Sequence, residues 1–520
     1  MFKIKRALIS VFNKSNVLNL ARALKEFDVE IISTGGTAQH LQKNGIEVTV
    51  VEAITEFPEI LQGRVKTLHP KIFGGILALR DDPQQMEELQ EHAIGTIDLV
   101  VINLYPFEQT IKKASVSLQE ALENIDIGGP CLIRAAAKNF PHVAVVTSPE
   151  QYPAFIQELR ETKGEISYQT RQKLAVEAFQ RTSSYDALIQ NYLGKLENTE
   201  SIFPSYRTFP IKKIQDLRYG ENPHQQAALY ARSDQPLQGL VAAEKLHGKE
   251  LSFNNLLDLN AAWGMVQEFE KPCVAIIKHN NPCGLAVAEE LRQAFLNARA
   301  TDPLSAFGGI VAVNRPLDSA SAREMSQMFL EAIIAPEFEK QSLEILQQKK
   351  NLRLLKSRNS LNLNESNLDI KKIQGGILLQ EEDTLILNTN NFKVVTRREP
   401  IKEEWEALLF AWRVVKWVKS NAIVFTTRDR TLGIGAGQMS RIDSVWIAAE
   451  KARKVGHDLT GSVVASDAFF PFRDGIDSIA RAGATAIIQP GGSIRDEEVI
   501  AAANEHNLTM IFTGVRHFRH

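Results

Sequence analysis

The feature that most constrains the fold is a regular alternation of short apolar runs with amphipathic helical segments in the first part of the chain. The apolar runs fall at residues 7–11, 31–33, 47–51, 99–104 and 143–147. Strands that alternate with helices usually pair in parallel, because each crossover helix returns the chain to the same end of the sheet. This pattern predicts an α/β fold with a doubly wound parallel sheet.

The length and composition favour a globular enzyme with several domains. A chain of 520 residues is too long for one ordinary core, and at roughly 150 residues per domain it suggests about three units. The composition is 44% hydrophobic and 23% charged, with a formal net charge of −2. Such a balance gives no electrostatic footprint for nucleic acid, so we expect no nucleic-acid partner.

The cysteines and the hydropathy pattern predict a cytoplasmic protein. Cys131, Cys273 and Cys283 lack paired spacing, which indicates neither a disulfide framework nor a zinc site. The apolar run at 7–12 is too short for a signal peptide, and no 18-residue apolar span follows it. We therefore expect neither export nor membrane insertion.

A Gly-Gly turn between the second strand and its helix is a candidate phosphate site. Thr34-Gly35-Gly36-Thr37 precedes a helical pattern at 38–43, so its backbone amides can form a nest for phosphate oxygens. Ser10 and Lys14 follow the first strand at the same edge of the sheet. A Gly-Gly turn is often only a turn. The functional reading depends on the other strand ends.

Those strand ends carry groups suited to proton transfer. Arg64, Lys66 and Thr67 precede a Pro-terminated segment, and Asn103 and Tyr105 follow a buried strand. Asp126-Ile127-Gly128-Gly129-Pro130 then opens a helix, with Pro130 in its first turn.

The helix after Pro130 carries Arg134 and Lys138 four residues apart on one face. Their apolar neighbours predict a largely buried helix in which Lys138 needs a partner, although a solvated basic stripe is the simpler alternative. Together, Lys66, Tyr105, Asp126 and Lys138 can supply a carboxylate base and donors for a developing oxyanion.

A second polar cluster is the stretch from Lys278 to Gly284, which reads Lys-His-Asn-Asn-Pro-Cys-Gly after the apolar run 274–277. We expect a strand to end at Lys278, Pro282 and Gly284 to force a turn, and a helix to begin near Glu289. An ordinary polar loop remains an alternative. A lysine beside a histidine is costly to hold together unless an anion or a reaction uses both.

The middle of the chain contains a predicted boundary and a second anion-binding candidate. A helical pattern over 149–197 ends in the polar stretch 197–201, where we place a domain boundary. The loop 217–225 then contains Arg218 and Tyr219, and an arginine fork beside a ring donor suits a phosphate or a carboxylate. An ordinary surface turn at Gly220 and Pro223 is the alternative.

The remaining sequence suggests an internal duplication. The segment 302–309, with Phe307 and Gly308, leads into a strand at 310–313, and the last third offers a strand at 422–426, a turn at 433–438, a helix and a strand at 463–465. Residues 340–391 are polar and are predicted to connect the halves. Phe469, Phe470 and Phe472 are either core residues or the flanks of an aromatic cofactor site.

These motifs together resemble a known family. The resemblance rests on Lys66, Tyr105, Asp126 and Lys138, followed by Arg218-Tyr219-Gly220, Lys278-His279, Gly435-Ala436-Gly437-Gln438, the segment 466–474 and Arg516. On these residues the sequence resembles the bifunctional purine-biosynthesis family that joins AICAR formyltransferase to IMP cyclohydrolase. The resemblance covers essentially the whole chain. It implies a methylglyoxal-synthase-like cyclohydrolase at 1–199 and a transformylase of two cytidine-deaminase-like subdomains at 200–365 and 366–520.

The resemblance also implies roles for individual residues. His279 is the expected general base of formyl transfer from 10-formyltetrahydrofolate to AICAR, with Lys278 on the oxyanion and Asn421 orienting the reactants. Lys66, Tyr105, Asp126 and Lys138 carry the ring closure of formyl-AICAR to IMP. No metal is expected to be required. The expected substrate-binding residues are Ser10, Lys14, Thr34, Gly36, Thr37, Arg64, Thr67, Asn103, Arg218, Tyr219, Phe307, Gly308, Glu331, Gln438, Phe469, Asp474 and Arg516.

Two departures from the family pattern qualify what the resemblance implies. Relatives usually read Ser-Val-Ser-Asp-Lys where this chain has Ser10-Val11-Phe12-Asn13-Lys14, so a carboxylate is lost near the phosphate. Many relatives carry Asp before Ile-Ile-Ala-Pro, where this chain has Glu331. The longer acid predicts an altered folate affinity.

Two other functions fit parts of the pattern. A protein that binds purine or folate without turnover shares the fold, but it gains nothing from a general base. A triose-phosphate lyase fused to a deaminase shares the folds too, but this chain lacks His-x-Glu followed by Pro-Cys-x-x-Cys. The family resemblance further implies a homodimer that completes the transformylase site, and spacing leaves open whether His279 and Asn421 serve one site from one chain or two.

Overall fold

The computed structural model describes residues 1–113, 115–196, 202–357, 368–385 and 387–520. The chain divides into two compact units, one comprising Met1–Lys212 with Tyr230–Pro236 and the other Lys213–Leu229 with Leu237–His520. The predicted domain boundaries at 199/200 and 365/366, including the polar stretch at 197–201, lie outside the described residues.

The first unit contains the predicted parallel sheet. Five parallel strands stand in the order β4-β3-β2-β5-β6, so the chain winds outwards in both directions from β2. The strands are β1 (Phe2–Lys3), β2 (Arg6–Val11), β3 (Glu30–Ser33), β4 (Thr49–Val50), β5 (Leu99–Asn103), β6 (Ala144–Val146) and β7 (Glu165–Ile166), of which β1 and β7 pair separately. The doubly wound prediction is confirmed.

The helices of this unit cover the sheet with apolar faces. They are α1 (Val17–Lys25), α2 (Gly35–Lys43), α3 (Val51–Thr55), α4 (Pro70–Leu77), α5 (Pro83–Glu91), α6 (Phe107–Ile111), α7 (Leu118–Glu123), α8 (Gly128–Lys138), α9 (Tyr152–Glu161) and α10 (Tyr168–Gly194). The predicted strand at 47–51 is shorter than expected, because Val51 already begins α3. Burial of β-branched side chains such as Val51 suits a helix facing the core as well as a strand.

The second unit contains two six-stranded sheets of identical order. One runs β10-β15-β14-β13-β11-β12 and the other β18-β23-β22-β21-β19-β20. Before these sheets, β8 (Ile211–Leu217) pairs with β9 (Ala227–Arg232), and the residues of both strands are divided between the two units. The strands of the second unit are β10 (Glu244–His247), β11 (Cys273–Lys278), β12 (Asn281–Val287), β13 (Ile310–Val313), β14 (Ala332–Ala335), β15 (Arg353–Lys356), β16 (Leu368–Ile373), β17 (Gly376–Glu381), β18 (Lys393–Val394), β19 (Ile423–Thr426), β20 (Thr431–Gly435), β21 (Val463–Ser466), β22 (Ala486–Gln489) and β23 (Thr509–Phe512). The predicted internal duplication is confirmed at the level of topology.

The helices follow the same repeat. They are α11 (Phe253–Gln267), α12 (Leu291–Thr301), α13 (Pro303–Ala306), α14 (Ser319–Ser326), α15 (Lys340–Leu346), α16 (Lys402–Val415), α17 (Arg441–Lys454), α18 (Asp474–Ala482) and α19 (Asp496–Glu505). A helix precedes the β11–β12 hairpin (α11) and the β19–β20 hairpin (α16). Both helices pack with residues of both sheets in one shared apolar core, to which α11 contributes Trp263 and α16 contributes Trp412. This shared core joins the two repeats.

Three local predictions in this unit are wrong. Pro282 and Gly284 do not end a strand, because they lie within β12, at the sheet edge where a missing amide hydrogen is tolerated. Gly433 and Gly435 are likewise strand residues in β20 rather than turn residues. Gly435 packs so closely that an added Cβ would stand 2.0 Å from the Ser444 carbonyl oxygen, so glycine marks a close helix contact.

The predicted connector at 340–391 is also too long. Its first part forms α15 and β15, which belong to the first repeat. A separate antiparallel hairpin, β16 with β17, follows before the second repeat begins. Polar composition hid the four-residue strand β15, because only Leu354 and Leu355 of that strand are buried.

Candidate active sites

A cavity of about 740 Å³ opens at the carboxyl edge of the parallel sheet in the first unit. Crevices at this edge are the usual ligand sites of open α/β sheets, and the volume suits a nucleotide-sized molecule. The cavity brings together every candidate residue of the N-terminal region except Lys138: Ser10, Lys14, Thr34, Gly36, Thr37, Arg64, Lys66, Thr67, Asn103, Tyr105 and Asp126 all line it.

One end of the cavity is built for an anion. The Ser10 and Thr34 hydroxyls lie 2.8 Å apart, and Thr34 is the N-cap of α2. The helix begins at Gly35 rather than after the Gly-Gly pair, so the first amides of α2 precede its intrahelical hydrogen bonds. Free amides and the positive end of the helix dipole favour phosphate oxygens here.

Asn103 fixes the loop that carries Lys14. Its Oδ1 accepts from the Asn13 backbone N–H at 2.8 Å, and its Nδ2 donates to the Asn13 carbonyl at 2.9 Å. Asn13, which departs from the family pattern, therefore holds the loop through its backbone N–H and carbonyl. Phe12 packs edge-on against Tyr105, with the two ring centroids 5.7 Å apart.

Asp126 is the titratable group of this cavity with the clearest perturbation. Its Oδ1 accepts from the Gly129 backbone N–H at 2.8 Å, at the start of α8. Burial raises the pKa of Asp126 above its usual value, and hydrogen bonds from backbone amides and the nearby Lys66 charge offset part of that rise. A carboxyl with a raised pKa suits a group that accepts and returns a proton.

The Lys66 ammonium lies near the N-terminus of α2, and its charge also acts on the Asp126 carboxyl. A Cβ added to Gly35 would lie 4.0 Å from its Nζ, and one added to Gly63 would lie 3.8 Å from it. The same two positions approach the carboxylate of Glu59, which lines the cavity and which the sequence did not single out. At the rim, Arg64 pairs with Glu123, an acid that also lines the cavity.

The expectation of a buried Lys138 is wrong. Lys138 is exposed in the last turn of α8, about 15 Å along the helix from the glycines that line the cavity. Arg134 is exposed as well, with its guanidinium 5.8 Å from the Phe179 ring. The apolar residues of α8 occupy the other faces of the helix, so this basic stripe is solvated.

In the second unit, Lys278 and His279 stand at the tip of a hairpin rather than at the end of a parallel strand. Lys278 ends β11, and β11 is antiparallel to both of its neighbours. Its Nζ donates to the Phe307 carbonyl at 2.9 Å. A smaller cavity of about 150 Å³ beside the hairpin is lined by Lys278, His279 and the ion pair of Asp302 with Lys451.

The Phe307 segment lies against the same tip. Gly308 has a φ of +75°, and its N–H donates to the Phe329 carbonyl at 2.8 Å, which leaves the Phe307 side chain 58% exposed. Glu331 donates its backbone N–H to Gly309 at 3.0 Å, but its carboxylate is paired with Arg353 at 2.7 Å. Phe307 therefore offers an aromatic ring that packs against Phe329 at 5.5 Å and is otherwise exposed, whereas the Glu331 carboxylate is ion-paired with Arg353.

Asn421 is held by hydrogen bonds on both sides of its amide. Its Nδ2 donates to the Gln438 and Met439 carbonyls at 2.8 and 3.1 Å, and its Oδ1 accepts from Arg441 at 2.8 Å. Arg441 in turn pairs with the fully buried Asp467. The Asn421 orientation and the Gln438 turn are thus fixed together.

One hydrogen bond brings these two parts of the unit together. The Asn281 Oδ1, next to the hairpin tip, accepts from the Lys419 backbone N–H at 3.0 Å, two residues before Asn421. The chain's own fold therefore places the His279 and Asn421 turns near each other. The separation of more than a hundred residues in sequence concealed this proximity.

The remaining candidates lie on exposed segments of the second unit. Arg218 stacks on Tyr219 at 5.6 Å, and the Glu221 carbonyl of that loop accepts from Asn254 of α11 at 3.3 Å. Phe469 is 37% exposed whereas Phe470 is buried, and Asp474 begins α18. Arg516 is exposed beside Phe518, in a C-terminal segment whose His517 N–H donates to the Asp467 carbonyl at 3.0 Å.

The described part of the chain offers neither a metal-binding cluster nor a helix that could span a membrane. It contains no group of three or more His, Cys, Asp or Glu side chains placed to hold a metal ion. None of its helices has the length and apolar character needed to cross a membrane.

Comparison with known proteins relates both units to one family. A model described as the AICARFT/IMPCHase bienzyme matches residues 136–451, and a model described as an MGS-like domain matches residues 16–131. The bifunctional purine biosynthesis protein PurH of Magnetococcus marinus is 52% identical over 532 residues, which covers 100% of each chain. PurH of Persephonella marina is 51% identical over 519 residues, covering 99% of this chain and 100% of the relative. The crystal structure of ForH is 32% identical, covers 38% of this chain and 100% of its own, and has a TM-score of 0.34.

Proposed function

The chain belongs to the AICARFT/IMPCHase bienzyme family, and on that premise we propose which of its residues carry the two reactions of that family. The protein is a bifunctional enzyme that catalyses the last two steps of IMP synthesis: formyl transfer to AICAR, followed by cyclodehydration of formyl-AICAR. We assign ring closure to residues 1–199 and formyl transfer to the subdomains at 200–365 and 366–520.

In formyl transfer, the 5-amine of AICAR attacks the formyl carbon of the folate cosubstrate. We assign His279 as the base that removes the amine proton, and Lys278 as the cation that stabilises the tetrahedral oxyanion. The bond from the formyl carbon to the folate nitrogen then breaks, and that nitrogen takes a proton. Asn421, whose amide is held on both sides, fixes the Gln438 turn against the reactants.

In ring closure, the carboxamide nitrogen of formyl-AICAR attacks its formamido carbon, and the carbonyl oxygen leaves as water. Asp126 is the proposed proton carrier, because burial raises its pKa towards the range in which a carboxyl can both accept and donate. Lys66 and Tyr105 stabilise the developing oxyanion and deliver the proton that water needs.

Substrate contacts follow from the same placement. We propose that the 5′-phosphate of formyl-AICAR binds at the α2 N-terminus, where the Ser10 and Thr34 hydroxyls meet. The other proposed contacts are Lys14, Gly36, Thr37, Arg64, Thr67 and Asn103 in ring closure, and Arg218, Tyr219, Phe307, Gly308, Glu331, Gln438, Phe469, Asp474 and Arg516 in formyl transfer. Lys138 is the least supported of the catalytic candidates, because it is exposed at the far end of α8.

The single observation that carries the assignment is the first cavity. Candidates from five separate stretches of sequence converge on one space of about 740 Å³, with an anion site at one end and the Lys66, Tyr105 and Asp126 side chains within it. A polar surface without chemistry has no reason to gather these groups.

The cosubstrate, assembly and compartment are further proposals. A formyl-folate cosubstrate follows from the family activity, and we propose 10-formyltetrahydrofolate. We also propose a cytoplasmic homodimer. In support of the dimer, the second unit exposes large apolar side chains that include Leu304, Met439, Trp446 and Ile494, and the β16–β17 hairpin exposes Ile377 and Leu378. A lone two-stranded hairpin is marginally stable, which favours a partner against it.

The test is to incubate the protein with AICAR and 10-formyltetrahydrofolate, without added metal, and to measure formyl-AICAR and IMP by chromatography. IMP is expected from the wild type, whereas His279→Ala is expected to form IMP only from added formyl-AICAR. A protein that binds both substrates but never turns over would instead be a sensor. His279→Ala with near-normal formyl transfer would remove the general-base assignment.

A further inference from the structure

The hairpin tip that carries His279 adopts a conformation that its residues do not favour. His279 and Asn280 form a two-residue connection between β11 and β12, with φ values of 54° and 60°. Two consecutive positive φ values are typical of a type I′ turn, in which Asn-Gly is the preferred pair. His279 and Asn280 both carry a Cβ, so the left-handed conformation costs conformational energy at each of them, and the turn needs support from elsewhere.

That support comes from Asp258 of α11. Its Oδ2 accepts from the His279 backbone N–H at 3.1 Å, and its Oδ1 accepts from the Asn280 N–H at 2.6 Å. One carboxylate therefore receives the amides of both left-handed residues. Hydrogen bonds from a backbone amide to a carboxylate are roughly twice as strong as those between neutral groups.

Asp258 is itself held by a fixed helix. Ser252 caps the helix in a capping box with Asn255, and Leu259, Trp263 and Val266 of the helix lie in the shared core. Asn254, one turn before Asp258, donates to the Glu221 carbonyl of the Arg218 loop at 3.3 Å. One face of α11 therefore supports both the His279 hairpin and the Arg218 loop.

The contact of Asp258 is with the backbone rather than with the imidazole. Within the described residues, no ion pair joins the His279 ring to a carboxylate within 4.0 Å. The Asn280 side chain also makes no hydrogen bond in the described part of the chain. Asp258 thus controls where His279 stands, and the turn does not depend on the Asn280 side chain.

We propose that Asp258 is a positioning residue for formyl transfer: by holding the left-handed His279-Asn280 turn, it aims the imidazole of His279 at the amine of AICAR. This inference rests on the proposed role of His279. Misplacing a catalytic group by about 1 Å can cost about a hundredfold in rate. Loss of the carboxylate is therefore expected to lower kcat while the rest of the substrate site remains.

The first experiment compares Asp258→Asn and Asp258→Ala with Asn260→Ala, an exposed position two residues along the same helix. Asp258→Asn keeps one acceptor oxygen, but it turns an amide donor towards a backbone N–H. We expect kcat of formyl transfer to fall about tenfold in Asp258→Asn and about a hundredfold in Asp258→Ala. KM for AICAR and the ring closure of added formyl-AICAR are expected to stay within about twofold, as in Asn260→Ala.

The second experiment is a rescue through the turn itself. Glycine adopts a positive φ without strain, so Asn280→Gly lets the turn form without the carboxylate. The Asp258→Ala, Asn280→Gly double variant is expected to recover at least about tenfold of the lost kcat. A carboxylate that acted on substrate or on the imidazole charge would not be replaced by a glycine in the turn.

The outcomes separate this inference from the function it rests on. Formyl transfer that survives His279→Ala would overturn the assignment of His279. Formyl transfer lost in His279→Ala but unchanged in Asp258→Ala would overturn the role of Asp258 alone. A loss in Asp258→Ala that Asn280→Gly does not relieve would also overturn it, because the turn would then not be what the carboxylate supports.

Discussion

Gly129 tests whether the position of the Asp126 carboxylate limits ring closure. A Cβ added at this position would stand 2.5 Å from Oδ2 of Asp126 and 2.9 Å from Cδ2 of Leu104. Ordinary contacts begin at 3.4 Å, so in Gly129→Ala the carboxylate oxygen must retreat by about 0.9 Å. Leu104 closes the other side, and the Gly129 N–H is itself a donor to Asp126.

A displacement of that size sets the expected magnitude. A misplacement of about 1 Å costs about a hundredfold in rate, which corresponds to about 2.7 kcal/mol in the barrier. Overpacking at the same site is expected to lower the free energy of unfolding by about 1–3 kcal/mol. The rate effect is therefore expected at temperatures at which the variant remains folded.

The assay follows IMP formation from added formyl-AICAR by ultraviolet absorbance, with formyl transfer measured on the same preparation as an internal control. Gly194→Ala is the matched control, because a Cβ there meets nothing within 4 Å and lies in α10, away from the cavity. If Asp126→Asn is inactive but Gly129→Ala closes the ring at the wild-type rate, the position of the Asp126 carboxylate does not limit ring closure.

Four further predictions concern the two sites. Burial raises the pKa of Asp126, so the acid limb of ring closure is expected above the ordinary Asp value of about 3.9, and Asp126→Asn should remove activity across the profile. A carboxyl whose pKa is raised in the folded state contributes stability below its unfolded pKa, and this contribution is lost as the pH rises through the folded pKa. Melting curves should therefore show Asp126→Asn more stable than wild type at neutral pH. Equal stability would argue against burial as the cause of the raised pKa. Lys66→Ala is expected to accumulate formyl-AICAR, whereas the exposed Lys138→Ala should do so much less, and equal accumulation would restore Lys138 to the mechanism. Co-refolded His279→Ala and Asn421→Ala chains are expected to stay inactive, because the Asn281 to Lys419 hydrogen bond brings both turns together in one chain; recovery to roughly a quarter of wild type would show that two chains share them.

Errors in the sequence predictions came from residues whose meaning depends on their neighbours in space. Pro282 and Gly284 were expected to end a strand, but both lie within β12, an edge strand of its sheet, and a proline is tolerated at a sheet edge. Lys138 was expected to be buried because its sequence neighbours are apolar. A helix buries only one face, so the exposure of Lys138 depends on what α8 packs against.

The sequence by itself determined the parallel sheet, the duplicated repeat and the polar residues at strand ends. These follow from local rules, since hydrophobic periodicity sets the element type and parallel strands bring their carboxyl ends to one edge. It could not determine which side chains support one another across long separations. Only the tertiary structure brings Asp258 to the amides of His279 and Asn280, Lys419 to Asn281, and Glu59 to the Lys66 region, because those contacts arise when helices dock on sheets. The residues proposed to carry the chemistry could be chosen from the sequence, whereas the residues that hold them in place are decided by packing.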